Sequence, residues 1–402
     1  MAAEIKTKPT QRKPNLIGRI EDENHDVVPM LVLTPSEDGV ITVSDDRSVR
    51  IWLKRETGQY WPSVCHFLTA PCSSMCFSPS TKQLFIGLQS GSVEEYRVAE
   101  DYNSIYHQRK YDAHQKQVTS VVFCVEKEIL VTCAKDRWLT WYWTQNGQKM
   151  GAHQVASVPI CLQFDVRSNY VFCGLSNGEI PILQIDKNDC KSINSLKGHS
   201  GAVNTLFWDS AAQILYSGSS DKSIIMWDIG SKKGTAFELQ GHESKVMSIH
   251  YSASTQQLVS MSYDGSLVIW NMDIKRQETP VWEEKDQCQK CKTPFFWNFR
   301  QMWNEKTVGL RQHHCRKCGT AVCAKCSTKR TTIPFMGFEF EVRVCDACFD
   351  SIPESDKAPT ATFHELKHNV VAATPDWKKL CLATSGSDRV VKIWDMSQVI
   401  HK

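Results

Sequence analysis

Four pairs of cysteines, each spaced C-x-x-C, fall within 61 residues of this 402-residue chain: Cys288/Cys291, Cys315/Cys318, Cys323/Cys326 and Cys345/Cys348. Two thiolates on one tight turn suit a tetrahedral Zn²⁺, which binds sulfur at about 2.3 Å. Eight such ligands complete two four-cysteine sites and leave no open position, so the zinc chemistry predicted is structural rather than catalytic. Disulfides are the alternative. The N-terminal sequence MAAEIKTKPTQRKPN has no apolar stretch of a secretory signal, which predicts a reducing, cytoplasmic setting and disfavours them. The other nine of the seventeen cysteines are scattered through strand-like segments, where Cys behaves as a small buried hydrophobe. The cysteine-rich module is short and poor in aliphatic core. Zinc should supply most of its stability, on the order of 10–16 kcal/mol per site.

Two basic blocks are threaded through these cysteines, VGLRQHHCRKCG from Val308 and RVCDAC from Arg343. Guanidinium forks match phosphate oxygens bidentately. Arg311, Arg316 and Arg343 would bind an anion together if the metal sites bring the blocks into register; otherwise they are solvated surface arginines. His313 and His314 would face the same anion or, as in other zinc fingers, serve as metal ligands. Thr307-Val308-Gly309-Leu310 precedes Arg311. An apolar tip beside a basic pocket suits a bilayer interface, where full burial of Val or Leu adds roughly 1.5–3 kcal/mol each. Val308 and Leu310 are the residues expected to insert, with packing of Leu310 inside the finger as the alternative. Phe295, Phe296, Trp297, Phe299, Met302 and Trp303 form a dense apolar stretch, expected to fill the finger core or to pack against the rest of the chain, with a second membrane contact as the alternative.

The remaining sequence must position this module, and it is repetitive. VSDDRSVRIW ends at Trp52 and CAKDRWLTW at Trp141; GSSDKSIIMWD, SYDGSLVIWN and SGSDRVVKIWD carry Trp227, Trp270 and Trp394. Weaker copies end at Tyr96 and Leu183. From Trp52 to Trp270 the endpoints recur every 42 to 45 residues, the period of a WD-repeat propeller blade. β-Branched and aromatic residues between short polar turns favour strands. His199, Ser217, Asp221 and Trp227 recur as His242, Ser260, Asp264 and Trp270, as His368, Thr384, Asp388 and Trp394, and as His25, Thr42, Asp46 and Trp52. Such residues would form a buried hydrogen-bonded chain in each blade. The third copy has His114, Thr132 and Asp136 with Trp141 one residue early. The second and fourth lack both His and Trp, so their blades should be less firmly fixed. Trp270 and Trp394 are 124 residues apart, so a foreign module interrupts the array. The predicted fold is all-β: a seven-bladed propeller with the zinc module inserted between blades six and seven. The predicted divisions are a flexible N-terminus over 1–14, blades one to six over 15–273, the finger over 280–352, a linker over 353–359 and the seventh blade over 360–397. Residues 15–20 are expected to close the last blade, which removes exposed edges.

The RQHHCR and RVC blocks with an upstream Trp282 resemble the FYVE zinc finger, and the interrupted propeller resembles the WD repeat and FYVE domain-containing protein family over essentially the whole chain. The resemblance implies cross-braced ligation, with Cys288, Cys291, Cys323 and Cys326 on one Zn²⁺ and Cys315, Cys318, Cys345 and Cys348 on the other. It implies a headgroup pocket for phosphatidylinositol 3-phosphate formed by Arg311, His313, His314, Arg316 and Arg343, with Asp286 accepting from a sugar hydroxyl. Two departures stand out. Gln312 replaces the usual Arg or Lys, and Trp282-Glu283-Glu284-Lys285-Asp286 is one residue longer than the family's W-x-x-D. The implied protein is a non-enzymatic adaptor, peripheral on early endosome membranes, whose propeller holds protein partners such as signalling kinases. No P-loop, nucleophile elbow or H-E-x-x-H appears. A RING-like ubiquitin ligase also uses cross-braced zinc and is the alternative. Nucleic acid is not an expected partner; a basic finger serving it would show steep salt dependence without headgroup selectivity. A homodimer would gain avidity without new contacts, but no heptad pattern marks one. No run of about 18 apolar residues is present to cross a bilayer.

Overall fold

The turn inside each repeat explains the blades. In the computed structural model, which describes residues 12–21, 26–35, 38–230, 234–306 and 308–400, the Asp side chain of each turn accepts from the backbone N–H two residues on. Asp46 does so from Ser48, Asp136 from Trp138, Asp221 from Ser223, Asp264 from Ser266 and Asp388 from Val390. The residue after each Asp takes a positive φ, from 66° at Arg389 to 86° at Gly265. This short carboxylate-closed turn reverses the chain between the second and third strands of a blade.

Seven four-stranded antiparallel units result. In the fifth, Val203–Asp209, Ile214–Ser219, Ser223–Asp228 and Ala236–Gln240 run from the inside of the ring to its rim. The first strand of each blade lies against the first strand of the next all the way round, including the seventh against the first. Asn15–Ile20 pairs antiparallel with Val391–Asp395 as the outer strand of the seventh blade. The N-terminal residues 1–11 and His25 lie outside the described residues.

Between neighbouring strands the polar chains are buried. Trp227 Nε1 donates to Ser217 Oγ (2.8 Å), which also meets His199 Nε2 (2.7 Å), and His199 Nδ1 meets Asp221 (3.0 Å). The seventh blade repeats the pattern through Trp394, Thr384 and His368. In the sixth, Trp270 and His242 share Ser260, but His242 Nδ1 turns to Ser266 Oγ rather than Asp264. In the third, His114 meets Thr132, while the displaced Trp141 indole donates to the Asp186 carbonyl in the next blade. The second blade fills the place of its missing His and Trp with Tyr96 and Tyr111, whose hydroxyls donate to the buried Glu94 and Glu95.

The finger leaves the chain after the third strand of the sixth blade, Ser266–Asn271, and the chain returns as that blade's outer strand, Ala361–Glu365. By sequence repeat it separates the sixth copy from the seventh; by sheet it interrupts the sixth blade. The finger does not hang free. Its strand Phe338–Arg343 continues the fifth blade's sheet, with Gln240 paired in parallel to Phe338 and Arg330–Ile333 beyond it. Gln240 N–H donates to the Gly337 carbonyl (2.8 Å). Gly337 has φ 87°, and a Cβ there would lie 1.8 Å from the Glu238 carbonyl oxygen, so only glycine permits the approach. Arg276 donates to the carbonyls of Pro334 and Asn271, Glu339 accepts from Thr360, and Phe340 stacks on Phe363. Residues 353–359 include a short 3₁₀ turn, Glu354–Lys357, tied back by Thr332 Oγ1 to the Lys357 carbonyl.

Candidate metal centres and anion site

Each first cysteine pair sits on the same kind of turn. After Cys288 and Cys291 the Lys292 amide closes on the Cys288 carbonyl, and after Cys315 and Cys318 the Gly319 amide closes on the Cys315 carbonyl, both at 2.8 Å. Lys292 and Gly319 have φ of 64° and 75°, which aims both sulfurs of each pair at one point.

The eight sulfurs gather in two groups, Cys288, Cys291, Cys323 and Cys326, and Cys315, Cys318, Cys345 and Cys348, each with ligand atoms within 4.8 Å of one another. Four thiolates about 2.3 Å from one Zn²⁺ span tetrahedral edges of about 3.8 Å, and Cys291 and Cys323 sulfurs lie 3.7 Å apart. The donor set therefore fits two structural zinc ions, cross-braced along the chain, with neither histidine in the ligand sets. Burial opposes ionisation at Cys291 and Cys318. The hydroxyls and amides of Thr293 and Thr320 outweigh it and pull these thiols down, to about 6 and about 7. Around the cysteines pack Phe295, Ile333, Met336, Phe338, Val344 and Ile352.

The second metal group joins the two basic blocks. Arg316 N–H donates to the Arg343 carbonyl (3.0 Å), and His313–His314 pairs with Ala321–Val322. The result is an open cavity of about 450 Å³ lined by Arg311, Gln312, His313, His314, Arg316 and Arg343, together with Trp282, Arg330, Glu341 and Val342. The Trp282 ring stacks on His314, centroids 5.2 Å apart at 12°, and the Arg316 guanidinium lies over the Trp282 ring, 4.3 Å from its centroid. Arg343 donates to the Ser327 carbonyl (2.8 Å), which fixes its fork. Among the described residues, no ion pair involves Arg311, Arg316, Arg330 or Arg343. Burial lowers the affinity of His313 for a proton, and Arg343, Arg311, Arg330 and His314 push the same way. Burial likewise presses Arg316 downward; attraction to Glu238 and Cys315 partly offsets this, and Arg343 adds to the lowering. A cavity that crowds cations this way favours an anion.

Asp286 is not part of it. Its backbone carbonyl accepts from Phe295 N–H (2.8 Å) and its carboxylate from the Trp297 indole (3.3 Å). The extra residue between Trp282 and Asp286 lets the ring reach the cavity while the carboxylate stays beside Phe295. Glu341 is the carboxylate that lines the cavity. Gln312 spends its amide on the Glu283 carbonyl (3.5 Å) and His314 Nε2 (3.1 Å).

The apolar tip divides. Leu310 is half-buried against the finger core, its amide donating to the Pro294 carbonyl and its carbonyl accepting from Phe296, so it does not project as an inserting residue. Val308 is 84% exposed, and Thr307 lies outside the described residues. The expected core stretch divides as well. Phe295 is fully buried, but Phe299 and Trp303 are 73% and 87% exposed and Phe296 is more than half exposed. They surround the helix Phe299–Glu305, capped at Asn298, whose Met302 sulfur lies against Gly309 in the tip. No helix among the described residues is long and apolar enough to cross a membrane.

Comparison with known proteins agrees with this architecture. Residues 281–354 match the FYVE zinc finger, and residues 106–141, 190–228 and 233–271 match the WD domain, G-beta repeat. The chain is 55% identical to WD repeat and FYVE domain-containing protein 2 from Homo sapiens and from Mus musculus, over 100% of both chains. It is 52% identical to WD repeat and FYVE domain-containing protein 1 from Homo sapiens, over 100% of this chain and 97% of the relative. Among solved structures, the WD40 beta propeller domain of Doa1 superposes with a TM-score of 0.62 at 15% identity, covering 96% of this chain and 98% of the other; that likeness concerns the fold alone.

Proposed function

The chain belongs to the WD repeat and FYVE domain-containing protein family, and from that premise we propose that it is an adaptor recruited to early endosome membranes by phosphatidylinositol 3-phosphate. The observation that carries this reading is the cavity in which Arg311, Arg316 and Arg343 converge with no ion-pair partner among the described residues, with His313 and His314 beside them. A phosphomonoester can accept from several forks at once, and the FYVE match points to the inositol 3-phosphate. Val308 and the exposed rings of Phe299 and Trp303 supply apolar contact with the bilayer around the bound headgroup. Zinc acts here as a brace, holding RQHHCR and RVC together. The propeller serves as a rigid surface for protein partners, signalling kinases among them, on the cytoplasmic side. The His and Asp side chains of its repeat pattern are engaged within the blades, which supports a binding rather than a catalytic role.

Flotation with liposomes that differ only in which inositol hydroxyl is phosphorylated tests the proposal. Recovery with 3-phosphorylated lipid alone is the expected result, and a chain lacking residues 281–354 provides the control. Equal recovery with all phosphoinositides would overturn the selectivity and leave only electrostatic attraction.

A further inference from the structure

Arg330 belongs to neither basic block, yet it lines the same cavity. It begins the strand Arg330–Ile333 and stands directly opposite Arg343 in the antiparallel ladder. Side chains at opposed positions leave the same face with Cβ atoms about 4.5–5.5 Å apart, and like charges placed so are destabilising. No carboxylate pairs with either guanidinium among the described residues, although Glu341 also lines the cavity. Arg343 is anchored by Ser327, whereas Arg330 is exposed. Such a cross-strand pair makes physical sense when an anion lies between the two forks.

The motif itself is one cation short. Gln312 occupies the second position of RQHHCR, and its amide is engaged by the Glu283 carbonyl and His314. We infer that Arg330 contributes the phosphate contact that Gln312 does not, so that the headgroup is gripped from the Arg330–Arg343 ladder rather than from two consecutive basic residues of the motif. This rests on the phosphoinositide reading above and names a further binding residue for it. It also changes the geometry of recognition. The compensating cation comes from a hairpin that continues the fifth blade's sheet, so its position depends on the finger's seat on the propeller.

The test uses the full-length protein and four variants: Arg330→Gln, Gln312→Arg, the two combined, and Lys325→Gln as an exposed cation outside the cavity. Binding is measured to phosphatidylcholine vesicles with and without phosphatidylinositol 3-phosphate, and to soluble inositol 1,3-bisphosphate, with two zinc ions per chain as the folding check. One charge-assisted contact corresponds to about tenfold to a hundredfold in affinity. Arg330→Gln should lose that much for both lipid and soluble headgroup, the double variant should regain most of it, and Lys325→Gln should change soluble headgroup binding little. If Arg330→Gln binds the soluble headgroup like Lys325→Gln, or if Gln312→Arg restores nothing, the inference fails. If the unmodified chain shows no preference for 3-phosphorylated vesicles, the parent reading fails instead.

Discussion

Replacing Val308 by Glu should separate membrane attachment from headgroup recognition. Val308 is 84% exposed at the tip that precedes Arg311, while Leu310 in the same tip already packs into the finger. Nearly all of the Val side chain is therefore available for burial, a contribution of roughly 1.5–3 kcal/mol. Taking about 2 kcal/mol, its loss weakens vesicle binding about thirtyfold. The carboxylate adds to this, because it must either leave water or hold the tip off the surface. Val308 does not line the basic cavity, so the cavity should bind soluble inositol 1,3-bisphosphate as before. Trp303 offers a second measure. Burying half of a ring of about 200 Å² at 25 cal/mol per Å² is worth about 2.5 kcal/mol, so Trp303→Ala should behave similarly. Vesicle co-sedimentation and calorimetry with the soluble headgroup, run side by side, make the comparison. Equal losses in both assays would mean that the tip shapes the cavity. No loss on vesicles would mean that this edge of the finger does not meet the bilayer.

Chelation of zinc should abolish binding to 3-phosphorylated vesicles, because on the order of 10–16 kcal/mol per site leaves the finger with each ion; metal analysis should return two zinc ions per native chain, and Cys318→Ser should leave the Cys288 site filled. Gly337→Ala should undock the finger, since a left-handed backbone costs about 1–2 kcal/mol for an L-residue and the new Cβ would collide with the Glu238 carbonyl. The Gln240 amide should then lose protection from hydrogen exchange while zinc content stays at two; retained protection would refute that seat. Acid should weaken the propeller through His242, which is buried, and His250, which is partly buried. Burial pushes His242 and His250 down to about 4, so between that value and 6.5 the unfolded chain binds more protons and stability falls as pH falls. Each contributes on the order of 3 kcal/mol over that window. The urea midpoint should drop from pH 7 to pH 5, and less steeply for His250→Gln than for the unmodified chain; acid release of zinc is common to both and cancels in the comparison.

What could be read from the sequence is what local spacing determines. C-x-x-C turns and the Asp turn followed by a terminal Trp are complete within a dozen residues, so the metal ligands and blade endpoints were visible without a structure. The partner of the Ser266–Asn271 strand was harder, because it lies beyond the finger at Ala361–Glu365. Arg330 was invisible for a related reason: its place in the cavity follows from strand register opposite Arg343, which no motif encodes. Asp286 came from the family resemblance, against which the extra residue after Trp282 already spoke; the Trp282 ring lines the cavity, while the Asp286 carboxylate accepts from Trp297. The apolar stretch from Phe295 to Trp303 misled by composition. Hydrophobicity alone does not distinguish Phe295, which closes the finger core, from Phe299 and Trp303, which face outward from a helix of only seven residues.

The junction between finger and propeller bears on how an adaptor of this kind presents its partners. Domains in one chain ordinarily move relative to each other unless their interface resists it. Here the finger's hairpin extends the fifth blade, and its return strand completes the sixth, so two adjacent blades hold it. Arg276 and Glu339 sit in the same junction, both largely desolvated: burial depresses the first and raises the second, each partly offset by attraction to the other. No direct ion pair joins them among the described residues, but each is hydrogen-bonded across the junction and attracts the other, so removing one leaves the remaining charge less compensated than replacing both with apolar groups does. Their value therefore lies in fixing one docking angle rather than in net stability. With that angle fixed, a headgroup in the Arg311–Arg343 cavity and a bilayer at Val308 determine which way the propeller faces. Arg276→Met combined with Glu339→Leu should accordingly preserve folding and zinc content better than either change alone. Distances from a spin label on the propeller rim to one in the finger should broaden in the single variants; an unchanged, narrow distribution in both would show that the paired strands alone set the angle.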